Sequence, residues 1–291
     1  MTDRDHNCAV TGATGYLGSK LESYLTAKGL TVYKLSRNAR PEIDPLAVPF
    51  SLDKGAPVGF FQEHHVNTLI HCAYDFRPDK WSEIYEINVK GSIQLMAQAR
   101  AEGVKNIIFI SSVSAYDGCQ SLYGKAKLEI EREAFKIGAV VIRPGLIYGD
   151  NPGAMMGALT NVIKRTSVVP IIGSGKQVLY LVHEDDLASL IYKLSTEDFP
   201  QINEPITAAS EHGHTFSGIL KILAERQGKT IRIVPMPWKL CWAGLRVLEL
   251  FRIKLGFRSD SIVSLVNTNP DMRFDWTKRT GIRFREFSSK T

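Results

Sequence analysis

The chain has 291 residues, 44% hydrophobic and 23% charged, a composition typical of a globular protein that can bury a full core. It contains no run of about eighteen uncharged apolar residues, so no membrane-spanning helix is expected. The polar residues 1–7 show no signal-peptide pattern. Four scattered cysteines without a CxxC pair predict reduced thiols, a cytoplasmic protein and no zinc site.

The formal net charge of +6 lies wholly in the second half of the chain. Residues 1–150 contain 17 Lys or Arg and 17 Asp or Glu, whereas residues 151–291 contain 19 and 13. Such an excess can attract an anionic ligand or surface, or it can form a solvated basic face.

A short apolar run at residues 8–10 leads into three glycines spaced three residues apart, and then into a predicted helix over residues 19–28. Gly12 permits a tight turn, Gly15 lets backbone amides approach a pyrophosphate, and Gly18 lets the helix pack close to its strand. The amino end of the helix favours phosphate. The order of strand, glycines and helix therefore predicts dinucleotide binding rather than a plain structural turn. The predicted cofactor contacts in this loop are Gly12, Thr14, Gly15, Tyr16, Leu17 and Gly18.

The end of the second predicted strand, residues 30–35, bears on the choice of cofactor. In NAD-binding proteins an acidic residue about 20 residues past the glycines binds the ribose 2′-hydroxyl. This chain has Ser36 there, followed by Arg37 and Arg40. Because two guanidinium groups suit a 2′-phosphate, the pair of arginines predicts a preference for NADP, with Ser36 and Arg37 as the predicted cofactor contacts. NAD is the alternative, with the arginines only solvated.

Two further short buried strands are predicted at residues 48–52 and 68–72, with Asp53 and Ala73 at their ends. In a doubly wound sheet these ends face the cofactor, so both residues are predicted cofactor contacts.

A helix is predicted over residues 81–101 and a central apolar strand over residues 107–110. The strand runs into residues 111–116, which contain three serines, and a following helix carries Tyr123 and Lys127, which are four residues apart and share one face. A free phenol has a pKa near 10, and a nearby ammonium group lowers it. A serine hydroxyl at the strand end, the Tyr123 phenol and the Lys127 ammonium group therefore predict an arrangement for proton transfer.

Several short segments that occur in a characteristic order resemble the extended short-chain dehydrogenase/reductase family, the NAD(P)-dependent epimerase/dehydratase group. The resemblance covers roughly residues 6–225. The segments are 11–18 (TGATGYLG), 69–73 (LIHCA), 109–116 (FISSVSAY), 123–127 (YGKAK), 143–149 (RPGLIYG) and 181–188 (LVHEDDLA).

The resemblance implies a Rossmann doubly wound parallel sheet with a smaller C-terminal α/β substrate domain. It implies that Ser112 is the catalytic hydroxyl, that Tyr123 is the acid/base and that Lys127 grips the nicotinamide ribose. Residues 143–148 would line the nicotinamide and substrate side. The predicted cofactor contacts there, besides Tyr123 and Lys127, are Pro144, Gly145 and Ile147.

The predicted domains are residues 1–150, with 176–200 returning to them, for NAD(P), and residues 151–175 with 201–291 for the substrate. The predicted partner is a small-molecule substrate, with hydride transfer between the nicotinamide and a secondary alcohol or ketone. A non-catalytic assembly or sensor protein is the alternative, and intact Ser112, Tyr123 and Lys127 argue against it.

One position departs from the family pattern. Sugar-nucleotide enzymes of this type usually carry a phosphate-binding arginine where this chain has Leu179. Because a bound phosphate needs a positioned hydrogen-bond donor and leucine has none, weak binding of UDP and dTDP is expected. The substrate would then be a sugar derivative or a lipophilic alcohol or ketone, unless Arg165 or Arg246 supplies the phosphate contact.

In the second half, strands are predicted at residues 168–172, 178–182 and 231–234, and helices at 184–194 and 215–227. The acidic residues 184–186 suit the first turn of a helix better than a metal.

The apolar and basic residues 238–255 predict a helix whose first interpretation is core packing. A lid over a lipophilic substrate, a homodimer surface and an interfacial helix on anionic lipid are the alternatives. The tail, residues 271–291, predicts a docked terminal segment rather than a nucleic-acid arm.

Overall fold

The computed structural model describes residues 6–150, 153–250 and 258–289. Its strands are β1 (Asn7–Thr11), β2 (Thr31–Ser36), β3 (Ala47–Pro49), β4 (Val66–His71), β5 (Asn106–Ile110), β6 (Val140–Pro144), β7 (Leu146–Tyr148), β8 (Val168–Ile172), β9 (Val178–Leu179), β10 (Leu181–His183), β11 (Ile206–Ala208), β12 (His214–Thr215) and β13 (Arg232–Met236).

The helices are α1 (Tyr16–Ala27), α2 (Phe60–Glu63), α3 (Trp81–Ile84), α4 (Gly91–Ala101), α5 (Leu122–Lys136), α6 (Ala154–Arg165), α7 (Glu184–Thr196), α8 (Phe216–Arg226), α9 (Trp238–Leu250), α10 (Ser259–Val266) and α11 (Asp275–Arg279). None of the helices in the described ranges is long and apolar enough to cross a bilayer.

A seven-stranded parallel sheet in the order β11-β6-β5-β4-β1-β2-β3 forms the centre of the molecule. Its central strands are almost continuously apolar because helices cover both faces of the sheet. On one face, Leu69 and Phe109 pack in a cluster with residues of α4 and α5. On the other, Ile70 and Ile108 pack in a cluster with residues of α1 and α7. The predicted doubly wound Rossmann fold is confirmed.

The predicted helix over residues 81–101 is interrupted by a π-helical turn, Tyr85–Lys90. The buried Asn88 in this turn accepts a hydrogen bond from the Asp75 amide at 2.6 Å and donates one to the Asp75 carbonyl at 3.0 Å. At Gly91, a Cβ would lie 2.2 Å from the Leu52 carbonyl oxygen. The turn thus brings the helix against two loops that follow sheet strands.

Two strands in the second half of the chain differ from their predicted boundaries. The predicted strand at residues 178–182 is two strands: β9 pairs with β12 and β10 pairs with β7. The strand predicted to stop before Pro235 continues to Met236. Among the described strands it pairs with β8 alone, so its other edge is open. Pro235, which has no N–H to donate, is tolerated at such an edge.

β11 lies in the range predicted for the substrate domain, but it pairs with β6 as the edge strand of the main sheet. Thr277 of α11 ties the tail to this strand, since its hydroxyl donates to the Thr207 carbonyl at 2.6 Å. The tail therefore docks on the sheet.

α9 covers only the first part of the predicted helix over residues 238–255, because residues 251–257 lie outside the described ranges. Core packing is wrong for the described part: none of the residues from Trp238 to Glu249 is buried.

Candidate active site

The glycine loop between β1 and α1 has the geometry that its spacing predicts. Gly12 has a φ of +67°, and its amide donates to the Leu35 carbonyl at 3.0 Å. The Gly15 amide donates to the Gly12 carbonyl at 2.8 Å, which closes the turn. A Cβ at Gly18 would lie 2.2 Å from the Gly12 carbonyl oxygen. Gly18 therefore allows the close packing of α1 on the loop.

This loop opens into a cavity of about 560 Å³ at the carboxyl ends of the parallel strands, which we call the glycine-loop cavity. Its wall includes every residue that the sequence assigns to the cofactor. They are Gly12, Thr14, Gly15, Tyr16, Leu17, Gly18, Ser36, Arg37, Asp53, Ala73, Tyr123, Lys127, Pro144, Gly145 and Ile147. A positive-φ glycine, a helix amino end and a continuous cleft to Tyr123 and Lys127 fit a dinucleotide.

Arg37 lines this cavity, but Arg40 is exposed and is not among the wall residues. The Arg37 guanidinium lies 3.5 Å from the Asp75 carboxylate, and its side chain is 56% exposed. Asp75 also binds Arg77 through two oxygens. Burial of this carboxyl opposes its ionisation, but the hydrogen bonds from Arg77 outweigh burial and lower the pKa of Asp75. Of the two predicted arginines, Arg37 lies on the cavity wall beside the Asp75 carboxylate and Arg40 does not.

Ser112, Tyr123 and Lys127 meet at one end of the glycine-loop cavity. The buried Lys127 ammonium group donates to the Ile110 carbonyl at 2.7 Å and lies 5.8 Å from the centre of the Tyr123 ring. Burial lowers the pKa of Lys127 to about 8, although Cys72 and Glu131 oppose this shift.

The expected lowering of the phenol pKa by Lys127 is not found. Burial raises the pKa of Tyr123 to about 12, and hydrogen bonding with the Ser112 hydroxyl opposes the shift only in part. Tyr123 is therefore a protonated phenol at neutral pH, which is the form that can donate a proton.

Two aromatic residues that the sequence analysis did not single out pack against Tyr123. The Tyr74 ring makes an edge contact at 4.9 Å between ring centres, and the Phe76 ring stacks at 5.8 Å with an interplanar angle of 21°. Both follow β4 closely in sequence, at the strand end that faces the cavity. Their place directly after a predicted strand, where parallel strands end at the cofactor, could have identified Tyr74 and Phe76 from the sequence.

Of the predicted segment 143–148, residues 144–147 line the cavities, whereas Tyr148 is not among the wall residues and Arg143 points elsewhere. Its guanidinium binds the buried Glu131 of α5 through both oxygens, at 2.9 and 2.6 Å. The Ser111 hydroxyl donates to the same carboxylate at 2.5 Å. This buried cluster fastens the helix that carries Tyr123 to the ends of β5 and β6.

A second cavity of about 560 Å³ adjoins the first at Ser112 and Tyr123, and we call it the aromatic cavity. Its side walls are largely apolar. They include Tyr74, Phe76, Ile84, Val113, Leu122, Leu146, Met155, Val178, Leu179, Tyr180, Trp242, Leu265 and Met272.

The charged side chains on this wall have protein partners. Arg246 lies 3.5 Å from Asp79 and 3.4 Å from Glu249. Arg258 donates to the carbonyls of Phe76 and Pro78. Arg165, the other arginine considered as a phosphate contact, is exposed at the end of α6 and is not among the wall residues.

Asp260 of α10 holds the amino end of the helix that carries Tyr123. Its two carboxylate oxygens accept hydrogen bonds from the amides of Leu122 at 2.8 Å and Tyr123 at 3.0 Å. The Tyr116 hydroxyl donates to the Asn267 carbonyl at 2.8 Å and adds a second tie to the same region. The C-terminal part of the chain thus directly contacts the amino end of the helix that carries Tyr123.

The acidic residues at the start of α7 also have partners. Tyr16 donates to Glu184, and Lys20 lies 3.1 Å from Glu184 and 2.8 Å from Asp185. Asp186 binds Arg285 through both oxygens. Within the ranges the structure describes, no group of three or more His, Cys, Asp or Glu side chains could hold a metal ion.

Comparison with known proteins agrees with this geometry. The model of the NAD dependent epimerase/dehydratase family matches residues 8–205. UDP-glucose 4-epimerase from Vibrio cholerae is 26% identical over 258 residues, covering 78% of this chain and 78% of the relative. Ceramide reductase from Caulobacter vibrioides is 26% identical over 252 residues, covering 81% of this chain and 75% of the relative.

Among solved structures, UDP-glucose 4-epimerase from Thermotoga maritima with UDP-glucose superposes with a TM-score of 0.67. It is 24% identical, over 79% of this chain and 85% of that chain, and the similarity shows the shared fold. The fold and site define an NAD(P)-dependent oxidoreductase of the extended short-chain dehydrogenase type. With two thirds of its length matched, the chain belongs to the NAD dependent epimerase/dehydratase family, and it is an enzyme of that class.

Proposed function

We propose that this enzyme transfers hydride to or from a secondary alcohol or ketone on an amphiphilic substrate. The reacting carbon would lie beside Ser112 and Tyr123, with the apolar part of the substrate along the aromatic cavity. The observation that carries the proposal is the wall of this cavity, where Leu179 and other apolar side chains lie and the charged groups already have partners. The ceramide reductase of Caulobacter vibrioides acts, by its name, on a lipid, which supports an amphiphilic substrate.

The residues of the chain have distinct roles in this reaction. When bound, the nicotinamide cofactor supplies or accepts the hydride. Ser112 would hold the substrate oxygen, and Tyr123 would donate a proton to that oxygen during reduction or remove it during oxidation. Lys127, bound to the Ile110 carbonyl at the cavity end, would hold the cofactor ribose.

The charges on the wall of the aromatic cavity argue against strong diphosphate binding. A buried phosphate needs donors that are positioned for it. Arg246 is engaged with Asp79 and Glu249, and Arg258 with two backbone carbonyls. A diphosphate would have to displace these partners, which offsets part of the free energy that it gains on binding.

A sugar nucleotide is the second candidate substrate. The same two arginines favour it, because both line the cavity and either could turn towards a diphosphate. UDP-glucose 4-epimerase from Vibrio cholerae belongs to the same family and acts, by its name, on such a substrate.

We infer a preference for NADP over NAD from the end of β2. Ser36 and Arg37 line the glycine-loop cavity there, and no acidic residue follows the strand directly. We also propose that residues 151–175 and the region after β11 form most of the substrate side. The contact of α10 with the catalytic helix supports this division.

Two measurements test the proposed substrate. The NADP-loaded enzyme is titrated by calorimetry with UDP, dTDP and GDP, and affinities in the high micromolar range or weaker are expected. Low-micromolar binding of any of them would restore the sugar-nucleotide assignment. In parallel, nicotinamide absorbance is followed with long-chain and short-chain ketones of the same head group. A kcat/KM that does not rise with chain length would contradict the amphiphilic substrate.

A further inference from the structure

A carboxylate lies on the cavity wall beside the arginine that favours NADP. Asp75 comes shortly after β4 and lines the glycine-loop cavity, as do Ser36 and Arg37 at the end of β2. The Arg37 guanidinium lies 3.5 Å from the Asp75 carboxylate. A 2′-phosphate that binds Arg37 therefore has to approach a negative charge of the protein itself.

The backbone of Asp75 is fixed by the π-helical turn Tyr85–Lys90. The Asp75 amide donates to the side-chain oxygen of Asn88 at 2.6 Å, and the Asn88 side chain donates to the Asp75 carbonyl at 3.0 Å. Asn88 is completely buried, and Asp75 is only 8% exposed. Moving Asp75 away from the cavity would break buried hydrogen bonds, which is unfavourable.

The neighbouring Arg77 fixes the carboxylate itself. Its amide donates to one carboxylate oxygen of Asp75 at 2.9 Å, and its guanidinium binds both oxygens. These hydrogen bonds lower the pKa of Asp75 against the effect of burial, so the carboxyl is ionised at neutral pH. Asp75 is thus an anion whose backbone and side chain are both held in place on the cavity wall.

We propose that Asp75 is a specificity-determining residue, which competes with the 2′-phosphate of the cofactor for Arg37 and so limits the preference for NADP over NAD. The inference rests on the proposed binding of NADP and adds a residue far from the end of β2 to the choice of cofactor. A phosphate oxygen bound to the same guanidinium nitrogen as Asp75 would lie at most about 6 Å from the carboxylate oxygen, because a charge-assisted hydrogen bond is about 2.8 Å long.

At this separation the carboxylate and the phosphate repel each other, and Arg37 has to be shared between them. The 2′-hydroxyl of NAD is uncharged and meets no such repulsion. Removing the charge of Asp75 should therefore favour NADPH selectively.

The test is calorimetric titration of the full chain with NADPH and NADH, which requires no substrate. Asp75→Asn removes the negative charge and keeps one acceptor oxygen for the Arg77 amide. It should tighten NADPH binding about tenfold at low salt and less at high salt, whereas NADH should bind no more tightly. Asp75→Ser, with a smaller neutral side chain, should shift the affinities in the same direction.

The matched control is Asp44→Asn. Asp44 is also an ion-paired carboxylate and lies in the loop after β2, but it is not among the wall residues of the cavity. This variant should leave the ratio of the NADPH and NADH affinities unchanged. Thermal unfolding verifies that each variant is folded.

A double-mutant cycle decides whether the effect passes through Arg37. Arg37→Gln should weaken NADPH several-fold more in Asp75→Asn than in the wild type, because only there is Arg37 free of its carboxylate partner. Weaker NADPH binding in both Asp75 variants, an equal gain for NADH, or an equal cost of Arg37→Gln in both backgrounds would overturn the inference. The affinity ratio of the wild type tests the proposed NADP preference, whereas the shift of this ratio in Asp75→Asn tests the role of Asp75, so the two can fail separately.

Discussion

Lys127 provides a test of the site that needs no substrate. Burial lowers the pKa of its ammonium group to about 8, from an ordinary value of 10.5. Between these two values the unfolded chain keeps a proton that the folded protein has released. The contribution of Lys127 to stability therefore rises with pH in this window. At about 1.4 kcal/mol per pKa unit, the total gain is about 3 kcal/mol.

The perturbation is Lys127→Met, which keeps much of the side-chain length and removes the titrating group. The free energy of unfolding of the wild type minus that of the variant should increase by about 1.4 kcal/mol per pH unit above pH 8 and level off near 10.5. Cys8 and Cys72, whose pKa values burial raises to about 12, lower the stability of both proteins above pH 9. They largely cancel in the difference.

Urea denaturation across this pH range measures the difference. Lys125→Met is the matched control, because Lys125 lies two residues away on α5 and is exposed. The wild type minus this control should show no slope. A difference between the wild type and Lys127→Met that stays constant from pH 8 to 10 would refute the assigned burial of the ammonium group.

The remaining predictions concern proton transfer, the cofactor and the helix contact. Tyr123→Phe removes the proton donor, so it should lower kcat by about two to four orders of magnitude. NADPH affinity should stay nearly unchanged, because the ring keeps its contacts with Tyr74 and Phe76. Full turnover would contradict the role of the phenol. Arg37→Asp should weaken NADPH far more than NADH in titrations by tryptophan fluorescence, and equal weakening would speak against a 2′-phosphate contact. Asp260→Ala removes the acceptor of two backbone amides, so it should lower the free energy of unfolding by about 1–3 kcal/mol and also lower kcat. Asp260→Asn keeps one acceptor oxygen and should retain part of the stability and part of the kcat. An unchanged kcat in Asp260→Ala would show that α10 does not position Tyr123.

Much of the fold is readable from the chain because its signals are local. The strand, the glycines and the first helix follow one another within residues 7–27, and their geometry depends on backbone freedom at Gly12 and space at Gly18. The spacing of Tyr123 and Lys127 is a property of one helix. Apolar runs identify the buried parallel strands in the same way.

Other features depend on residues far apart in the chain, and no short-range pattern encodes them. Asp260 binds the Tyr123 amide across 137 residues, and Arg143 turns away from the cavity because Glu131 lies on a neighbouring helix. The high pKa of Tyr123 follows from burial by surrounding elements rather than from its neighbour Lys127.

The sequence by itself thus determined the Rossmann sheet and the glycine loop, and it identified the side chains proposed for catalysis. Only the tertiary structure decided which side chains surround them and which faces remain open. α9 is the clearest example, because its composition alone predicts a core helix while its residues from Trp238 to Glu249 lie partly or fully exposed at a cavity mouth. Burial is a property of the assembled elements, and a local pattern cannot specify which partner, if any, covers a face.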